Sequence, residues 1–134
     1  MSDGTGALLA ALRTTLTTSA AVSADVGDKV VSDWGVALAP PFIRLAVPTV
    51  TDWDSDDGDG SRYDVRVHVF TREAGSVERN RIAAAVREAL NVVDMPIAGQ
   101  HLWWIDYTQT MNAPSDDPTL QHAVVRFDAV TTAA

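Results

Sequence analysis

The chain has 134 residues, of which 46% are hydrophobic and 21% are charged, so it fits one domain with one hydrophobic core. Its net charge of -8 argues against a general nucleic-acid binder, which needs a basic face, and against docking to anionic membranes. The absence of cysteine excludes disulfides, thiolate metal sites and a cysteine nucleophile. No apolar run approaches the ~20 residues of a membrane-spanning helix, so we expect no membrane segment.

The first half of the chain predicts one helix and two strands. Leucines at helical spacing indicate a helix over about residues 5–18, and one more helical turn precedes Gly27. A short strand is predicted over Lys29–Trp34. After a double proline, alternating side chains predict a strand over Phe42–Val50, where Pro48 indicates the strand's end or an edge position.

The second half opens with an acidic connector, Asp52–Gly60, which carries the strongest turn signal in the chain. The alternation that follows predicts a strand over Arg62–Thr71, so the two flanking strands form a hairpin with a long loop. A second amphipathic helix is predicted over Ser76–Leu90. Two further strands are predicted over Gln100–Thr110 and Leu120–Val130.

These elements predict a single α+β domain over residues 1–134, in the order α-β-β-β-α-β-β. We expect an antiparallel or mixed sheet of about four to five strands, with two helices packed on one face. The core then consists of apolar helix residues against the apolar face of two strands: Leu8, Leu12, Ile82, Val86 and Leu90 against Val65, Val67, Val125 and Phe127.

The acidic connector resembles a calcium-binding loop only in part. The connector places Asp52, Asp54 and Asp56 at the first, third and fifth positions of an EF-hand loop. The sixth position is Asp57 instead of glycine, and the twelfth is Tyr63 instead of glutamate. We therefore interpret the segment as a solvated hairpin loop, and the clustered carboxylates leave weak binding of divalent cations open.

Other motifs for catalysis or cofactor binding are missing. His68, His101 and His122 lack a chelating spacing, although all three fall on predicted strands that could bring them together. The sequence has no Gly-x-Ser-x-Gly, no P-loop and no dinucleotide glycine fingerprint. We expect no cofactor and no enzymatic activity, with a hydrolase assembled from distant residues left open.

Four tryptophans are candidates for protein contacts. Trp103 and Trp104 are adjacent on a predicted strand, so we expect them to point to opposite faces, with only one filling the core. Because tryptophan is enriched in interface hot spots, Trp34, Trp103 and Trp104 are candidate interface residues. Packing within the same chain is the alternative for each of them.

The ordered set of elements resembles the tail-completion or tail-terminator proteins of tailed phages and phage-like gene transfer agents. The resemblance covers nearly the whole chain, although the acidic loop is longer and more acidic than the family pattern. The matching segments are Ala7–Leu12, Ala20–Val30, Pro40–Leu45, Tyr63–Phe70, Arg79–Leu90 and Ala123–Phe127.

The resemblance implies a structural protein in the tail of a virion or phage-like particle, made in the bacterial cytoplasm and lacking catalytic residues. It implies a homo-oligomeric ring, commonly a hexamer, that stops tail-tube polymerisation and joins the tail to the head connector. Its partners would be other copies, the tail-tube protein and the head-tail connector protein, with DNA passing through the lumen without specific binding. The candidate partner or lumen loop comprises Asp52, Trp53, Asp54, Asp56, Asp57 and Asp59.

Two alternatives to a tail terminator stay open. Another head-tail joining or tail-tube component of similar fold belongs to the same broad class. A small ligand-binding or hydrolytic α+β domain belongs to a different class, and a cleft lined by histidine and carboxylate would favour it. A ring-shaped assembly would favour the terminator.

Overall fold

The computed structural model describes residues 4–53, 60–72, 76–91, 94–113, 117 and 119–133. Its helices are α1 (Thr5–Thr18), α2 (Ala20–Val26) and α3 (Ser76–Ala89). Its strands are β1 (Val30–Val31), β2 (Phe42–Asp52), β3 (Gly60–Arg72), β4 (Gln100–Ala113) and β5 (Leu120–Ala133). They form one five-stranded sheet in the order β1-β2-β3-β5-β4, in which only the β1–β2 pair is parallel. The predicted α+β class with a mixed sheet is confirmed.

The helices pack on one face of this sheet, as the apolar patterns predict. Leu8, Leu12 and Leu16 recur every fourth residue of α1 and are fully buried. Ile82, Val86 and Leu90 from the region of α3 are also fully buried. They share a core with alternate residues of the two central strands, including Val65, Val67, Val125 and Phe127. The predicted core is confirmed, and none of the described helices is long and apolar enough to cross a membrane.

The prediction of two helices is wrong by one, because the expected single turn before Gly27 is a separate helix, α2. The Ser19 side chain accepts a hydrogen bond from the backbone N–H of Val22 at 3.4 Å, which caps the start of the helix. Gly27 ends it with a φ of 61°, a conformation that glycine adopts at little cost. Val22 and Val26 are fully buried, so packing stabilises a helix of only seven residues.

The strand bounds also differ from the predicted ones. β1 covers only Val30–Val31, and Trp34 lies in the loop that follows. The Arg44 guanidinium donates hydrogen bonds to the carbonyls of Asp33 and Val36, which holds this loop beside β2. Pro48 does not end β2, because the strand continues through a register shift between Ala46 and Thr49.

Candidate protein interface

The sheet face opposite the helices carries the side chains that the core does not use; we call it the open face. On β3 it presents the alternate residues Asp64, Arg66, His68 and Phe70, all partly buried, beside the even-numbered residues of β5. No described helix packs on this face. The residues of β3 and β5 that share a core with α1 and α3 are the odd-numbered ones, whose side chains point to the other face. Aromatic residues and arginine, both of which this face presents, are enriched at protein interfaces.

The centre of the open face is a network of charged side chains. Asp64 accepts hydrogen bonds from Arg66, with the shorter at 3.1 Å, and lies 3.5 Å from Arg126. Arg62 and Asp128 form a two-bond ion pair, with both distances 2.7 Å. Because these groups remain partly exposed, each pair contributes little to stability, but together they fix the orientation of the side chains across two strands.

An aromatic cluster lies on the open face beside this network. Phe42 stacks on Phe70, which stacks on His122 with ring centroids 4.2 Å apart. Trp34 meets His68 edge to face at 4.7 Å and donates its indole N–H to the Leu45 carbonyl at 3.2 Å. The ring of Trp34 therefore covers part of the open face within its own subunit, although 48% of the residue stays exposed.

The structure brings together two of the three histidines. Nδ1 of His68 lies 2.9 Å from Nε2 of His122, on neighbouring strands. Burial, with the nearby His122 and Arg66 as smaller causes, lowers the pKa of His68 from 6.5 to about 4. His101 lies near the other end of the sheet, opposite Thr132. The described residues contain no group of three or more side chains arranged to hold a metal ion.

The depressed pKa of His68 predicts that the folded chain loses stability in mild acid. The unfolded chain binds the proton near pH 6.5 and the folded chain only near pH 4, so the free energy of unfolding falls as pH drops through this window. Arg44 across the strand pair and Arg66 add positive charge on the same side. Allowing for the partial exposure of His68, we expect a loss on the order of 1 kcal/mol between pH 7 and pH 5.

Thermal unfolding followed by circular dichroism at several pH values checks this prediction. His68→Gln removes the titrating group, so the variant should lose less stability than the wild type over the same range. Comparing the two chains at each pH isolates the contribution of His68, including its interaction with His122. Parallel curves for the two chains would contradict the assignment.

A second aromatic group lies at the hairpin end of the sheet. Trp53 and Trp104 meet edge to face with centroids 5.4 Å apart, and the Arg62 guanidinium lies over Trp53 at 5.6 Å. Trp103 is 57% exposed and donates its indole N–H to the Thr132 hydroxyl at 2.9 Å. We call Trp53, Trp103 and Trp104 the tryptophan patch.

The patch corrects the expectation that Trp103 and Trp104 point to opposite faces with one in the core. Leu102 lies opposite Thr131 and Trp104 opposite Val130, so Trp103 is an extra residue in a bulge of β4. The bulge breaks the alternation, and neither tryptophan belongs to the buried core. Sequence spacing carries no signal for this extra residue.

The two ends of the acidic connector, Asp52–Gly60, are joined by a hydrogen bond from the Trp53 N–H to the Gly60 carbonyl at 2.9 Å. A Cβ at Gly60 would collide with the Trp53 carbonyl oxygen and lie 3.0 Å from the Thr131 carbonyl oxygen, so glycine is needed for this close approach. Asp52 is the exposed last residue of β2. Asp54, Asp56, Asp57 and Asp59, which the sequence singled out, lie outside the described residues.

The described residues place the histidine pair away from the groove that lies beside α3. A groove of about 330 Å³ lies between α3 and the sheet, lined by Ala84, Arg87, Glu88, Leu90, Asn91, Tyr107 and Phe127. It contains no histidine, and the Arg87 guanidinium lies 4.0 Å over the Tyr107 ring. The histidine pair is on the open face, on the other side of the sheet from α3. Among the described residues, the histidine pair is therefore separated from this groove and from its carboxylate, Glu88.

Comparisons with known proteins agree with this whole-chain architecture. A family model described as tail completion protein gp17 matches residues 10–132. A chain in the structure of the virion of a native gene transfer agent particle is 25% identical, with a TM-score of 0.87, and the match covers 98% of this chain and 99% of that chain. A second solved structure, 17% identical with a TM-score of 0.54 over 97% and 95% of the two chains, shows a shared fold. No curated protein sequence matches the chain.

Proposed function

Because the chain belongs to the tail completion protein gp17 family, we propose that it forms a ring that ends the tail tube of a phage-like particle and joins it to the head connector. The family match over residues 10–132 confirms the resemblance drawn from the sequence. The chain is accordingly a structural protein of a phage-like particle, and it assembles with other virion proteins. We further propose that a set of identical copies, commonly six, closes into the ring.

The observation that carries the proposal is the match to a virion chain over nearly the full length of both proteins, with a TM-score of 0.87. A match of this extent leaves little of either chain for a different structural unit. The exposed tryptophan patch and the open face, on which no described helix packs, supply surfaces that a monomer leaves partly exposed. Repeated heterologous contacts between identical subunits close such surfaces into a ring.

The structural family also bears on catalysis. Family membership suggests that the chain is not an enzyme, and we assign no catalytic residue. The separation of the histidine pair from the groove beside α3 weakens the small-hydrolase alternative. Another head-tail joining or tail-tube component remains the alternative within the structural class.

The acidic hairpin, Asp52–Gly60, is proposed to face the lumen or the tail tube. Asp52, Asp54, Asp56, Asp57 and Asp59 supply five carboxylates within eight positions. Carboxylates that line a channel repel DNA phosphates, so the genome passes without binding. Trp53, which is 38% exposed at the hairpin base, is proposed to anchor the loop on an apolar patch of a partner.

Particles assembled without this chain test the proposed function. We expect tail tubes of uncontrolled length that are not joined to filled heads, with DNA delivery reduced to background. Electron microscopy measures tail length and head attachment, and supplying the wild-type chain should restore both. Normal tails on filled heads would contradict the proposal, whereas loss of the tube itself would assign the chain to the tube component.

A further inference from the structure

One edge of the sheet is the long strand β4, which pairs with a described strand on one side only. β4 is the last strand in the sheet order, and its outer edge has no partner strand among the described residues. It has 14 residues and only one charged side chain, Asp106, which is little protection for a free edge. Trp103 and Met111 on this strand are exposed large apolar residues. Such an edge is a template for pairing with a strand from another chain.

The opposite edge is free over part of its length. β1 pairs with β2 only at Ile43 and Arg44, and the Leu45 carbonyl accepts the indole N–H of Trp34. From residue 46 to residue 52, the outer side of β2 has no partner strand among the described residues. Residues 48–52 are exposed, and Val50 among them is 39% exposed. Within the described part of the chain, the sheet therefore has an unpaired segment at each of its two edges.

The two free segments lie at the same height along the sheet. Following the registers across the strands, Asp52 shares a row with Leu102 by way of Ser61 and Thr131. Ala46 shares a row with Gln109 by way of Arg66 and Arg126. Residues 46–52 of β2 thus span the rows of residues 102–109 of β4, and a lateral neighbour in the same orientation brings one segment beside the other.

Strand direction is also compatible with pairing between copies. β2 and β3, β3 and β5, and β5 and β4 are each antiparallel, so β4 runs opposite to β2. When copies stand side by side in one orientation, the β4 of one copy therefore lies antiparallel to the β2 of the next. Antiparallel pairing gives direct N–H to carbonyl hydrogen bonds between the two edges.

We propose that residues 102–109 of β4 pair with residues 46–52 of β2 in the next copy, so that one β-sheet runs through the ring. This inference rests on the proposed function and names the surfaces by which its ring closes. The occupant of each edge is a second copy of this chain, because both complementary segments belong to the same subunit and match in height and direction. We call this pairing of residues 46–52 with residues 102–109 of the next copy the seam. Pro48 has no N–H, so the seam lacks one hydrogen-bond donor at that position.

Disulfide trapping tests the seam cleanly, because the chain has no cysteine of its own. Thr51→Cys is combined in turn with His101→Cys, Trp103→Cys or Asp106→Cys. These three exposed positions on β4 test several possible alignments of the two strands. Thr51→Cys with Ala10→Cys is the matched control, since Ala10 is exposed on α1 and away from both edges. Assembled particles are oxidised and analysed on non-reducing gels.

We expect at least one seam pair to give a ladder of multimers up to one closed species, and the control pair to give none. A second measurement needs no variant: amide hydrogen exchange of residues 46–52 and 102–109 should slow at least about tenfold on assembly. Particles with multiple copies per tail end but with neither cross-links nor slower amide exchange would contradict the proposed strand pairing. The proposed function would not be affected by that result. A single copy per tail end would overturn both.

Discussion

Replacing Val86 with aspartate is expected to destabilise the folded chain by about 3–5 kcal/mol or more, because an unpaired carboxylate is then placed in the core. Val86 is fully buried between α3 and the sheet, in the same core as Val65 and Phe127. A domain of this size has a total stability of about 5–15 kcal/mol, so most or all of the cooperative unfolding transition should be lost.

Ala84→Asp is the matched control, since Ala84 is exposed on the same helix. The control introduces the same charge without burying the carboxylate. Ala84→Asp loses more helix propensity than Val86→Asp, because alanine is the best helix former, but its total cost should still stay near about 1 kcal/mol. Denaturant unfolding followed by circular dichroism measures both variants. Equal stabilities for the two would mean that the buried face of α3 is assigned wrongly.

Replacing residues 54–59 with a short Gly-Ser turn is expected to reduce DNA delivery by about tenfold or more, a change of ~1.4 kcal/mol or more in the step that limits it. The replacement removes four carboxylates from the proposed lumen or tube contact while leaving the hairpin base at Trp53 and Gly60. The folded subunit should keep its stability, because the replaced segment, Asp-Ser-Asp-Asp-Gly-Asp, has no apolar side chain to bury. Tail length, head attachment and delivered DNA are measured on the same particles.

A second hairpin variant separates charge from contact. Changing Asp54, Asp56, Asp57 and Asp59 together to asparagine keeps the length and removes the charge. If the carboxylates act by repelling phosphates, this variant assembles normally but delivers DNA as poorly as the short turn. A defect in the short turn alone indicates a contact role for the loop. Wild-type assembly and delivery in both variants would remove the hairpin from the interface and from the lumen.

Much of the fold was predictable because its signals are local. The alternation from Tyr63 to Phe70 predicts a strand with one apolar face, and the leucine spacing of α1 predicts the buried stripe that the structure shows. The helix α2 was predicted only as a single turn, because seven residues hold too few turns for a periodic signal. The early end of β1 was missed because Trp34 has high strand propensity but is held in the loop by contacts to His68 and Leu45.

The candidate interface was predictable only as a set of separate residues. The sequence marks Trp53, Trp103 and Trp104 as unusual, but a bulge of one residue decides that neither of the adjacent pair enters the core. The contact of His68 with His122 spans 54 positions and follows from the placement of β5 beside β3. Pairing partners of this kind depend on sheet order, which side-chain periodicity does not encode.

By itself, the sequence determined an acidic α+β domain without cysteine, the residues of its core, and its resemblance to a tail-completion family. These properties follow from composition, from local periodicity and from the order of elements along the chain. Only the tertiary structure decided which strands stand at the edges, because β5 inserts between β3 and β4, so no described strand pairs with the outer side of β4. The free segments of β2 and β4 lie at one height only because three long-range registers align them across the sheet.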